Sequence, residues 1–335
     1  MDEREALTKC IDGQDLSRSE IESLFGRLMD GELSDIYKSA LLVALAAKGE
    51  SVEEITGAAL AMRARVIPVP HRLDDVVDTC GTGGDGAGTF NISTAAAFVA
   101  AAGGVHIAKH GNRAVSSKSG SADVLESLGI PLQTDAEAMG RALETVGIAF
   151  LFAPALHPAM KEVMPVRREL GIRTVFNLLG PLTNPASASR QVLGVFAADR
   201  VEPMARVLLE LGTEHALVVH GDDGLDELTT TDSTLVCEVR NGDVELHRIQ
   251  PEDCDFERAA LDDLRGGDAA ENATMMRAVL SGAPGPLADI TALNAGAAIY
   301  VGGVRDSLPA GVEKAREILA SGAGWAKLEE LKAFV

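Results

Sequence analysis

The sequence predicts an α/β protein in two parts, a small N-terminal helical bundle followed by a larger α/β domain with a mostly parallel central sheet. Three observations lead there: serine-capped apolar residues at helical spacing through the first 65 residues, a proline-rich break at 68–71, and β-branched runs that alternate with helical stretches beyond it. Ser17 with Glu20, and Ser51 with Glu54, have the capping-box spacing in which hydroxyl and carboxylate satisfy the free amides of a helix start. Ser34 is expected to cap the helix between them. In that helix Ile36, Ala40, Val43, Ala44 and Ala47 form an apolar stripe, widened by Leu41, that predicts packing on neighbouring helices or on another subunit.

At Pro68, Val69, Pro70 and His71 the chain turns extended, because proline removes an amide donor and disfavours helix in the residue before it. A domain boundary is expected there, with a helical domain over 1–67 and the α/β domain over 72–335. Strands are expected at 76–77, 105–107, 148–152, 191–196 and 216–219, alternating with helices as a parallel sheet requires. Asn241-Gly242 between STLVCEV and VELHRI predicts a hairpin that adds antiparallel strands. The tail from Pro309 is helical again.

Composition narrows the function. At 46% hydrophobic and 24% charged the chain can bury a sizeable core. Cys10, Cys80, Cys237 and Cys254 lie far apart with no C-x-x-C pair, as expected of reduced thiols in a cytoplasmic protein. The acidic N-terminus is unlike a signal peptide, and no apolar run reaches the ~18 residues of a membrane span, so no membrane partner is expected. A formal net charge of -20 opposes nucleic acid at long range. Between residues 105 and 175, however, eight Lys or Arg face seven acids, which marks where an anionic ligand could bind.

The chemistry concentrates in three stretches. In VVDTCGTGGDGAGTFNIST, 76–94, a strand passes through glycines into a helix near Ser93. Glycines at 81, 83 and 84 let backbone approach an anion, and Asn91, Ser93 and Thr94 bring side chains and free helix amides to the same place. Asp85 beside such a cradle calls for a metal, a ribose hydroxyl or a cation to offset its repulsion. After the next strand, 109–121 is dense in donors and reads as a clamp on phosphate oxygens hinged at Gly111 and Gly120, with His110 in a positioning role. Third, GDDGLDELT at 221–229 carries four acids. Alone it reads equally as a solvated turn; near a diphosphate, adjacent carboxylates suit Mg²⁺, with Asp222 and Asp223 the weaker candidates.

GTGGD at 81–85, NIST at 91–94, KHGNR at 109–113 and VRRELGIRTVFNLLGPLTNP at 166–185 resemble the anthranilate phosphoribosyltransferase family, and the similarity runs nearly end to end. GTGGD alone is shared with pyrimidine nucleoside phosphorylases of similar fold, so KHGNR and the 167–185 block carry the discrimination. The resemblance implies a nucleoside phosphorylase/phosphoribosyltransferase-like fold whose domains are joined again near 165–190, an active site in the cleft, and a homodimer through the helical part. It implies a magnesium-dependent pentosyltransferase of tryptophan biosynthesis that joins anthranilate to the ribose of phosphoribosyl pyrophosphate and releases pyrophosphate.

Residue by residue, the resemblance implies phosphoribosyl pyrophosphate at Gly81, Gly84, Asp85 and Thr89, then at Asn91, Ile92, Ser93 and Thr94. The donor continues along Lys109, His110, Gly111, Asn112, Arg113 and Ala114, and through Val115, Ser116 and Ser117 to Ser121. Magnesium, two ions per site, is expected at Ser93, Asp226 and Glu227. Anthranilate is expected at Gly81, Asn112, His157 and Arg167, with Lys109 and Arg167 as the catalytic pair. A guanidinium fork suits the ortho-carboxylate of anthranilate better than the point charge of a lysine. Arg168 is expected to pair with Glu162 or Glu169 instead. The alternatives are a pyrimidine nucleoside phosphorylase, which KHGNR opposes, and a catalytically silent nucleic-acid-binding paralogue, which the acidic balance and the Asp226-Glu227 pair oppose.

Overall fold

The computed structural model describes residues 2–114 and 118–335. Helices α1 (Glu3–Ile11), α2 (Arg18–Met29), α3 (Asp35–Lys48) and α4 (Val52–Arg63) form the N-terminal bundle. The Ser51 box closes in both directions, with the Ser51 amide 2.9 Å from Glu54 Oε2 and the Glu54 amide 3.3 Å from Ser51 Oγ. At Ser17 the amide donates to Glu20 at 2.8 Å. Ser34 Oγ caps α3 by accepting from the Tyr37 amide at 3.3 Å.

The stripe on α3 does not pack as a whole on the neighbouring helices. Lys38, Leu41, Leu42 and Leu45 form its buried face, whereas Ile36 is 85% exposed and Val43 41%. Three leucines remove more apolar area from water than a mainly alanine stripe does, so the bundle takes the leucine face and turns the other outward.

A seven-stranded sheet forms the larger part. Strands β1 (Val77–Gly81), β2 (Ile107–Gly111), β3 (Ile148–Phe152), β4 (Arg190–Gly194) and β5 (His215–Gly221) run parallel, and β6 (Thr234–Arg240) and β7 (Asp243–Ile249) are antiparallel additions. Their spatial order is β3-β2-β1-β4-β5-β6-β7. The β6–β7 turn has φ of 54° at Asn241 and 80° at Gly242, the left-handed pair that a two-residue hairpin requires.

One strand boundary departs from expectation in a way that matters. Lys109 and His110, expected in a loop, belong to β2, opposite Phe150 and Leu151 of β3, and are only 4% and 8% exposed. Parallel pairing carries the strand through them to its C-terminal end, where their polar groups face the residues after β1. A Cβ on Gly111 would lie 2.6 Å from the Phe150 ring and one on Gly120 2.4 Å from the Ala114 amide, so both positions exclude side chains.

Helix α5 (Ile92–Ala102) follows β1, α6 (Ser121–Ser127) follows β2, and α7 (Ala136–Val146) precedes β3. The α5 sequence ISTAAAFVAAA is buried almost throughout, since its small side chains let helices Pro286–Val301 and Ala323–Phe334 pack close around it. Alternate residues of the sheet feed two cores. Val192, Leu217 and Val219 face the one around α5. Leu193, Ala216 and Val218 face another, which includes the bundle and Val163, Val166, Val175 and Phe176 of the 163–182 connector. Among the described residues no helix is long and apolar enough to cross a membrane.

Candidate active site

The site forms over the C-terminal ends of β1, β2, β4 and β5. The acidic loop after β5 crosses back over β1 and β4, which only glycine there permits. A Cβ on Gly194 would lie 1.5 Å from the Asp226 carbonyl oxygen, and one on Gly81 2.5 Å from Asp226 Oδ2. Asp226 Oδ2 accepts from the Gly83 amide at 2.8 Å, and Glu227 Oε1 from the Ser93 amide at 3.2 Å. The loop is locked from behind by Asn294, whose side chain accepts from the Leu228 amide at 3.1 Å and donates to its carbonyl at 2.8 Å.

Lys109 reaches under this arrangement from β2. Its Nζ donates to the Thr79 carbonyl, and to Ser93 Oγ at 3.2 Å. Burial lowers its pKa, while the carboxylates of Asp78, Glu227 and Asp226 favour its charged form. Asp78, fully buried, accepts from the His110 amide at 3.1 Å and from the Cys80 thiol at 3.4 Å. Burial, then the neighbouring charges of Asp85 and Glu227, drive the Asp226 pKa well upward, and burial lifts Glu227 to about 7 against the pull of Lys109.

Backbone donors complete the cradle. Gly83 and Gly84 have φ of +66° and +82°. The Gly84 and Asp85 amides have no acceptor among the described residues, which leaves two successive N–H groups in a turn suited to an anion. Asn91 donates to the Ser119 carbonyl at 3.2 Å and accepts from Asn272 at 2.9 Å, tying the start of α5 to the segment before α6. The Ile92 side chain is core, and its amide donates to the Phe90 carbonyl at 2.7 Å. Thr94 is buried in the first turn of α5, and Thr89 bridges to Arg265.

Several donors beyond β2 are engaged with the protein itself. Asp123 accepts from the Ala114 and Gly120 amides, both at 2.9 Å, and from Arg113 at 3.1 Å, while Arg113 also holds Glu126. The Arg113 amide donates to Asn112 Oδ1 at 2.7 Å, and Ser121 Oγ to the Asn112 carbonyl at 3.3 Å. Val115, Ser116 and Ser117 lie outside the described residues.

A second cluster lies between β2 and the connector. His110 Nδ1 is 3.2 Å from the Gly180 carbonyl, and its Nε2 is 3.1 Å from His157 Nε2. A carbonyl only accepts, so His110 carries its proton on Nδ1 and accepts from His157 Nε2–H, which leaves lone-pair acceptor character on His157 Nδ1. Burial holds both rings neutral, with pKa values lowered to about 3 for His110 and about 4 for His157. On the connector, the Arg167 guanidinium lies 5.4 Å from the Phe176 ring centroid, half-buried and without a carboxylate partner among the described residues. Arg168 pairs with neither Glu162 nor Glu169; Glu162 lies 3.9 Å from Lys161 instead.

Sequence reasoning missed Gly194, Asp78, Asn294 and Arg173. The one signal available was a lone carboxylate, Asp78, in the apolar strand VVDTC.

The glycosyl transferase family matches twice, by its helical bundle domain over residues 4–66 and by its a/b domain over 73–325. An anthranilate phosphoribosyltransferase of Rubrobacter xylanophilus is 55% identical over 327 residues, 97% of this chain and 95% of that protein. The crystal structure of the Thermus thermophilus anthranilate phosphoribosyltransferase superposes with a TM-score of 0.93 at 49% identity, covering 98% of each chain. The Saccharomyces cerevisiae enzyme, in complex with phosphoribosyl pyrophosphate and Mg, gives 0.91 at 27% identity over 99% of this chain and 97% of that one.

Proposed function

The chain belongs to the anthranilate phosphoribosyltransferase family, and from that premise we propose how its residues divide the transfer of a phosphoribosyl group to anthranilate. The reaction is a pentosyl transfer of tryptophan biosynthesis: the anthranilate amine bonds to the anomeric carbon of phosphoribosyl pyrophosphate as the bond to pyrophosphate breaks. An aryl amine is unprotonated at neutral pH, so no strong base is required, and the protein's task is to place two substrates and receive the leaving charge.

The observation that carries this division is the meeting of Ser93, Lys109, Asp226 and Glu227 beneath the free amides of Gly84 and Asp85. These residues fit magnesium. Ser93 offers a hydroxyl, and the half-buried Asp226 and Glu227 offer two carboxylates with raised pKa values and no cation but Lys109 among the described residues. That is the donor set Mg²⁺ uses when substrate oxygens and water supply the rest. Ser93, Asp226 and Glu227 would hold the metal, two ions per site, and when bound it neutralises diphosphate charge. Lys109 adds a donor from a water-poor site, and the 84–85 amides receive phosphate oxygens without reorganising.

Arg167 takes the anthranilate carboxylate, because a half-buried guanidinium that rests on the Phe176 ring with no carboxylate partner among the described residues is ready to pair with one from solution. His157, Asn112 and Gly81 line the same pocket. The 1–67 domain, joined again by 165–190, moves against 72–335 about this cleft. Ile36 and Val43 on the outward face of α3 form the homodimer contact, for which sedimentation of the intact chain is the check.

The function is tested by mixing the chain with phosphoribosyl pyrophosphate, magnesium and anthranilate, and following loss of anthranilate fluorescence. Arg167→Ala should raise the Michaelis constant for anthranilate about 10-fold to 150-fold, the range of one lost charged hydrogen bond, and leave that for the diphosphate nearly unchanged. An unaltered anthranilate constant removes Arg167 from the pocket; undiminished fluorescence with the wild-type chain removes the reaction.

A further inference from the structure

Arg173 leaves the connector between helices Met164–Leu170 and Phe176–Leu179 and crosses to the glycine turn, where its guanidinium donates to the Gly84 carbonyl. The same guanidinium carbon lies 4.3 Å from the centroid of the Phe196 ring. Phe196 follows β4, and its amide donates to Thr82 Oγ1 at 3.0 Å. The turn is thus gripped at Thr82 from the sheet and at Gly84 from the connector. Arg173 has no carboxylate partner among the described residues, in a chain with 50 acids.

A trans peptide holds its carbonyl and the next N–H on opposite sides. Fixing the Gly84 carbonyl toward Arg173 therefore turns the Asp85 N–H away from Arg173, and that amide has no acceptor among the described residues. We propose that Arg173 is a positioning residue that sets the orientation of the Gly84–Asp85 peptide so that its amide meets the leaving diphosphate, with Phe196 as the platform that aims the guanidinium. The inference rests on the phosphoribosyl-transfer reading for the identity of the anion. Stacking and the carbonyl bond both use the planar fork, so lysine would keep the charge and lose the function.

The test is calorimetric titration of magnesium pyrophosphate into the intact wild-type chain, Arg173→Ala, Arg173→Lys, Phe196→Leu and the Arg173→Ala/Phe196→Leu double variant, with both Michaelis constants measured in parallel. Pyrophosphate should bind about 10-fold more weakly to Arg173→Ala, with no rescue by lysine. The constant for phosphoribosyl pyrophosphate should rise by the same factor and that for anthranilate stay within about 2-fold. The double variant should lose no more than the worse single one, as residues acting through one contact do. In the ligand-free chain the Asp85 amide ¹⁵N shift should move in Arg173→Ala. Unchanged pyrophosphate binding, additive losses, an equal rise in both constants, or an unmoved Asp85 shift with weakened binding would overturn the proposal, the last by making Arg173 a direct ligand. If Arg173→Ala does not fold, the lysine and Phe196 variants give the same readouts. Arg173-dependent pyrophosphate binding in a chain that leaves anthranilate untouched would sink the reaction reading and spare this one.

Discussion

Asp222 and Asp223 precede Asp226 and Glu227 in one short acidic run, and the fold treats the two pairs in opposite ways. Asp222 is bonded by Arg248. Asp223 accepts from the Leu225 amide at 3.1 Å, from Thr229 Oγ1 at 2.6 Å and from Thr231 Oγ1. Asp226 and Glu227 receive one main-chain amide apiece, and burial raises both pKa values. A buried carboxylate costs several kcal/mol unless it is paired and hydrogen-bonded. Asp222 is exposed and paired, and the half-buried Asp223 has three donors, whereas the half-buried Asp226 and Glu227 have one amide each, so the shortage of partners, rather than acidity, distinguishes the half proposed to hold magnesium.

The largest effect should come from neutralising the unmet pair. Asp226→Asn combined with Glu227→Gln should lower turnover by roughly 10²-fold to 10³-fold, the scale of losing preorganised charge stabilisation. The same variant should melt at a higher temperature than the wild type without magnesium, because the repulsion and partial desolvation of two half-buried carboxylates disappear. Kinetics over a magnesium series, beside a melting curve, check both signs. Full turnover with unaltered magnesium dependence would erase the distinction between the pairs.

The satisfied pair should respond with the opposite sign in stability. Asp223→Ala strands two threonine hydroxyls and an amide, and should destabilise the chain by about 1–3 kcal/mol in urea unfolding. Turnover should drop about 10-fold through displacement of the loop, less than from removing the acids themselves. Asp222, paired at the surface, should tolerate Asn with stability changed by less than about 1 kcal/mol. A stabilised Asp223→Ala would put it with Asp226 and Glu227 and break the comparison.

That division was only half legible in the sequence. Four acids in GDDGLDELT mark a negative loop, but the partners that neutralise the first two, Arg248 and Thr231 among them, lie on or before the next strands. The same limit recurs elsewhere. IAFLF gives β3 its bounds, because an apolar run carries its own strand signal, whereas Lys109 and His110 read as loop although β2 buries them. Asp78 showed only as a lone carboxylate in an apolar strand, and Gly194 had no local pattern at all. The need for glycine at 194 lies in the Asp226 carbonyl, 32 residues further on, which only the folded loop brings within reach. Motif-dense stretches thus announced the cradle, and the contacts that hold it required the tertiary structure.

The effect least tied to turnover concerns another way of holding ionisable groups, in which the pair is buried and kept neutral. His110 and His157 share a hydrogen bond, and burial lowers their pKa values to about 3 and about 4 from 6.5. Below pH ~6.5 the unfolded chain takes up protons that the folded rings refuse. Because the unfolded state then binds more protons, stability must fall as pH falls, by roughly 1.4 kcal/mol per pH unit for each ring, until the folded pKa values are reached. The raised acids beside Lys109 contribute the opposite sign over part of this range, so the difference between two chains is the clean quantity. His157→Gln keeps an N–H to donate to His110 Nε2 and removes one titrating ring. Urea unfolding at pH 7 and at two points between pH 6 and pH 4.5 should show the variant losing about 1.4 kcal/mol less per pH unit than the wild type, with the two chains closest at pH 7. Parallel pH profiles would mean that His157 takes up its proton in the fold as readily as in the unfolded chain, and that the pair is not kept neutral.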